Sequence, residues 1–106
     1  MEKMMKFLAL LTPTAQRTLA EFGPYLVEEE QVVWESYRTG SLREFYFQPS
    51  PPVVSLVYEA ENAAAVDAEL DLLPMIKAGL LDRRVVQLGP WLPLEVVFDK
   101  QLMPSV

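Results

Sequence analysis

Met4 to Leu11 is apolar at every position except Lys6, the pattern of a buried strand. Beyond Thr12-Pro13 the spacing changes. Leu19, Phe22, Leu26, Val33 and Tyr37 recur mostly every three or four residues, so a helix is predicted from Thr12-Pro13 to about Tyr37. Gly23-Pro24 should kink it or split it into two shorter helices, and Gly40 should end it. Leu42 to Gln48 is rich in aromatics and Val53 to Glu59 in β-branched residues. Between them Pro49-Ser50-Pro51-Pro52 cannot continue a strand, so the two runs predict a hairpin. Asn62 offers a cap for a second helix, Ala63 to Leu73, with Val66, Leu70 and Leu73 on one face. Leu80 to Leu88 reads as a fourth strand, Gly89-Pro90 as a turn, and Leu94 to Phe98 as a short fifth strand.

The order is β-α-β-β-α-β with a C-terminal extension. It predicts an α+β, ferredoxin-like fold: a four-stranded antiparallel sheet with two helices on one side. One domain spans residues 1–106, with its core at about 4–90 and the extension at 91–106.

Two helices cover one sheet face and leave the other to be explained. If Gln48 opposes Val53, then Arg43, Phe45 and Phe47 share a face with Val54, Leu56 and Tyr58, and this face should lie under the helices. The opposite face carries Leu42, Glu44, Tyr46 and Gln48 with Val53, Ser55, Val57 and Glu59. That mixture is too apolar for free solvent and too charged for a dry core. It suits a sheet-to-sheet homodimer, with Tyr46 and Val57 as dimer-face residues. Residues 91–98 would then be free to reach a partner.

Composition narrows the chemistry. The net charge is −6 with nine Lys and Arg in 106 residues, which argues against a nucleic-acid partner. There is no Cys and no His, so neither thiolate nor imidazole chemistry nor an ordinary zinc site is expected, and no metal or cofactor. The apolar start is too short for a membrane span and ends without a small-residue cleavage site, so a cytoplasmic protein without a membrane partner is expected.

Five features in order carry a resemblance. They are the helix end at Gly40, Ser41-Leu42-Arg43 opening an aromatic strand, Ser55-Leu56-Val57-Tyr58-Glu59 entering a turn, Leu73-Pro74-Met75, and Gly89-Pro90. Together the stretch from about Glu28 to Pro90 resembles the muconolactone isomerase family of the dimeric α+β barrel superfamily. The resemblance implies a barrel of two sheets, further assembly, and cofactor-free proton transfer on a lactone by side chains near the first strand and helix. Arg17 and Glu21 are the charged residues of the matching region here, without a Lys.

The expected function is therefore that of an isomerase-like protein acting on or binding a small lactone or organic acid. The alternatives are a non-catalytic ligand-binding or assembly protein and a cofactor-free monooxygenase. Arg43 facing the helices with Tyr58 opposite would hold a carboxylate, walled by Trp34. The competing reading has Arg43 snorkel at the strand end to meet Glu44 or a helix carboxylate. Glu59 is the candidate base. Trp34 and Tyr37 could wall a pocket with Phe45, although aromatic residues at helical spacing read first as core; Glu28-Glu29-Glu30 reads as a solvated helix face, and of Arg83-Arg84 only one can point inward.

Overall fold

The computed structural model describes residues 4–98. Strand β1 (Met5–Pro13) runs through the centre of the sheet. A short helix α1 (Leu19–Phe22), a 3-10 turn (Gly23–Tyr25) and helix α2 (Leu26–Thr39) follow. Then come β2 (Leu42–Pro49), β3 (Pro52–Ala60), α3 (Ala63–Leu70), α4 (Pro74–Lys77) and β4 (Leu81–Leu88). The sheet order is β2-β3-β1-β4 with every neighbouring pair antiparallel, the arrangement of a ferredoxin-like α+β fold.

Local chemistry explains most boundaries. β1 outlasts the predicted strand and ends at Pro13, where the ladder is finishing and needs no further N–H. The helix start at Thr12-Pro13 is therefore corrected: the first helical residue is Leu19. Its start is fixed by Glu21, whose carboxylate accepts the Thr18 N–H at 2.8 Å. Gly23-Pro24 divides the helical segment as expected. Gly40 ends α2 at φ 95°, a conformation that costs a residue with a Cβ. In α3, Asn62 Oδ1 accepts the Ala65 N–H at 2.9 Å. Helix α3 stops at Leu70, three residues short of the prediction, and Pro74 opens α4.

Gln48 opposes Val53 and the expected register holds back to Glu44 and Val57. There a bulge intervenes, so that Leu42, not Arg43, opposes Tyr58. Leu42 is thereby turned under the helices and buried, and Arg43 is turned out.

The core lies between the helices and one sheet face, around Phe7, Leu42, Leu56, Tyr58, Val66 and Leu70. Each such fully buried side chain contributes about 1.5–3 kcal/mol. Val66, Leu70 and Leu73 all point into it, as their spacing predicted. β1 is not buried on both faces, because the helices cover only one. Phe7, Ala9 and Leu11 are enclosed, while Leu8 and Leu10 are half-buried on the outer face. On β4, Arg83 turns to the helix side and pairs with Asp67 of α3 and with Asp71 just beyond its end, and Arg84 shares the outer face with Leu10. One arginine of the pair points inward, as alternation requires.

The fifth strand is absent among the described residues. Leu92–Val97 forms a 3-10 helix, which Pro93 accommodates in its first turn and which needs no neighbouring strand for its hydrogen bonds. Trp91, Leu92, Leu94, Val97 and Phe98 are each more than half exposed along it. The radius of gyration, 17.7 Å, exceeds the roughly 13 Å of a compact chain of this length.

A half-open cleft between sheet and helices

The helix layer does not close over the hairpin end of the sheet. Phe45 and Phe47 lie on the helix-facing side, as their register requires, yet are 48% and 65% exposed. Between them and the α1–α2 segment is a cleft of about 600 Å³. Leu11, Phe45, Phe47, Val54 and Leu56 form its floor. Phe22, Leu26 and Val33 form its roof, and Leu73, Met75 and Leu81 its inner wall. Such a volume and lining are those of a small-molecule pocket.

Three charged side chains reach this apolar space: Glu29, Glu30 and Arg17. Glu29 is only 6% exposed. Its Oε1 accepts the Met75 N–H at 2.9 Å, which ties α2 to the start of α4, and no hydrogen bond to Oε2 is found among the described residues. Burial holds this carboxyl above the usual carboxylate range. The Met75 N–H pulls it back, and the neighbouring Glu30 charge pushes it up again. Glu29 therefore contradicts the expectation of a wholly solvated Glu28-Glu29-Glu30 face. The signal was present in its spacing: Leu26 lies three residues before it, Val32 and Val33 three and four after, so residue 29 sits in the apolar stripe of α2.

Arg17 donates from Nη1 to Glu21 at 3.1 Å and from Nη2 to Thr14 Oγ1 at 2.7 Å. Its Nε is buried without a hydrogen-bond partner among the described residues. The guanidinium charge is thus matched by Glu21.

The residues expected to carry the site lie elsewhere. Trp34 and Arg43 do come together, with Tyr37 and Leu42, but around a separate shallow depression at the C-terminal end of α2. The bulge takes Arg43 out of the helix-facing row. Its guanidinium lies 3.7 Å from the Glu59 carboxylate and donates to the Gly40 carbonyl at 3.4 Å, so it does turn out at the strand end, but its partner is Glu59 of β3 and not Glu44 or a helix carboxylate. Tyr58 is buried in the core and lines neither space. Burial and the nearby Glu69 and Glu29 charges hold its phenol protonated far above the ordinary range. Glu59 faces outward, opposite Lys6, and does not line the cleft. Trp34, Tyr37 and Phe45 do form the expected aromatic row, with centroid distances of 6.1 and 5.3 Å, and Phe45 alone of the three reaches the cleft.

Tyr46 and Val57 lie on the outer sheet face. One row across that face reads Glu44, Val57, Leu8 and Val86, and the next reads Tyr46, Ser55, Leu10 and Arg84. The Tyr46 hydroxyl donates to Glu44 at 2.8 Å. Among the described residues no group of His, Cys, Asp and Glu could hold a metal ion, and no helix is long and apolar enough to cross a membrane.

No protein-family model matches this chain, and no curated protein matches it. A solved structure titled "Structural Genomics, protein YJCS" is similar at 19% identity and a TM-score of 0.48, over 83% of this chain and 99% of that one.

Proposed function

We propose that this protein is a homodimeric, muconolactone-isomerase-like protein whose cleft takes a small organic molecule such as a lactone. The observation that carries the reading is the apolar cleft between sheet and α1–α2, with the buried Glu29 carboxylate, Glu30 and Arg17 as its charged groups. A carboxyl held above its ordinary range inside a hydrocarbon-lined space has the properties of an acid–base group for moving a proton on a bound ligand. The resemblance of residues 28–90 to the isomerase family agrees with a chemistry of this kind and with the absence of His and Cys from the sequence.

Self-association is supported by the outer sheet face. Leu8, Leu10, Val53, Val57 and Val86 are only half-buried there, between Glu44 on one edge and Arg84 on the other. A second copy laid across it in the opposite sense can match both the apolar centre and the edge charges. The exposed apolar run from Trp91 to Phe98 supplies further surface for that contact.

A thermal-shift and protein-observed NMR screen of small lactones, phenols and aromatic acids tests the cleft. The expected result is saturable binding that perturbs Phe45 and Phe47 resonances; no binding across the set would defeat the reading. Light scattering should give twice the chain mass of 12.1 kDa. A monomer would remove the dimer from the proposal.

A further inference from the structure

The charges of the cleft decide what kind of molecule it takes, and this step rests on the proposed ligand-binding reading. We infer that the cleft selects an uncharged, largely hydrocarbon ligand bearing a hydroxyl or N–H donor for Glu29, and excludes the carboxylate form of the same skeleton.

Glu29 and Glu30 both line the space, and Glu29 is almost wholly removed from water. Arg17 does not offset them. Its charge is already paired with Glu21, and its two terminal nitrogens each donate a hydrogen bond, to Glu21 and Thr14. The cleft therefore carries negative charge that no other cation lining it offsets, and Glu29 Oε2 is an acceptor without a donor among the described residues. A ligand carboxylate entering here would lose its hydration among Phe45, Phe47, Val33 and Leu56, and would meet a like charge in a poorly screened space. Like charges so placed weaken binding severely. A hydroxyl or amide N–H instead satisfies Glu29.

The test uses a matched pair of probes, 2-naphthol and 2-naphthoate, titrated by calorimetry at neutral pH. Wild-type protein should bind the naphthol about tenfold or more tightly than the naphthoate. Glu29→Gln keeps an oxygen to accept the Met75 N–H and removes the charge, so the preference should shrink several-fold, chiefly through a gain in naphthoate affinity. If naphthoate binds as tightly as naphthol to the wild type, the inference is wrong while the ligand cleft stands. An unchanged ratio in Glu29→Gln overturns it equally. If neither probe binds, the cleft reading itself falls, and this inference with it.

Discussion

The two ends of the helix-facing sheet surface differ in a single respect, whether the helix above them touches down. Over the β3–β1 centre, Leu70 and Val66 of α3 rest directly on the sheet and exclude water completely. Over the β2–β3 hairpin, α1 and the 3-10 turn stand away, and Phe45 and Phe47 are left half in solvent. The side chains on the two floors are equally apolar. The first end therefore stabilises the fold, and the second is a surface kept free for something else.

Four substitutions sharpen or break that contrast. Leu70→Ala at the closed end should cost about 2–5 kcal/mol in urea unfolding, because both the transfer and the cavity contributions apply. A loss under 1 kcal/mol would mean that α3 does not seal the core. Asn62→Ala removes the α3 cap and should cost about 1 kcal/mol in the same experiment. Phe47→Ala at the open end should lie within about 0.5 kcal/mol of wild type, since little of the ring is withdrawn from water. A large loss there would show the cleft to be part of the core.

The fourth is read as a pH dependence. Glu29 is raised in the folded state by burial, so the native protein binds this proton more tightly than the unfolded chain does. The ionised carboxylate is therefore a burden at neutral pH, and it is relieved as pH falls through the folded-state value toward the ordinary carboxylate range. Wild type should gain stability relative to Glu29→Gln over that interval, measured by unfolding midpoints at successive pH. Parallel curves for the two proteins would place Glu29 in solvent.

The fold was legible because it rests on local signals that tertiary context did not overrule. Gly40, Asn62 and the proline-bounded hairpin each fix a boundary by their own backbone chemistry, and the hairpin register follows from the turn. The bulge at Arg43 was not legible. Nothing in Leu42-Arg43-Glu44 marks an extra residue, and the choice to bury Leu42 is made by the helices packing above it. That one-residue displacement removed Arg43 and Tyr58 from a shared site. Glu29 was hidden for a different reason. Three consecutive glutamates read as solvent exposure by composition, although the helical period places the middle one among Leu26, Val32 and Val33. The last segment misled because a short apolar run without a partner strand has no intrinsic claim to β structure.

The roof of the cleft has one more consequence. Neither α1 nor the 3-10 turn contributes a buried residue, yet Leu19 and Phe22 define how far the space extends. Lengthening, shortening or recasting residues 19–25 changes the size and shape of that space without removing a buried side chain. In descendants of this sequence the cleft can drift through that segment without drawing on the stability reserve, whereas the face formed by Leu42, Leu56 and Leu70 has no such freedom.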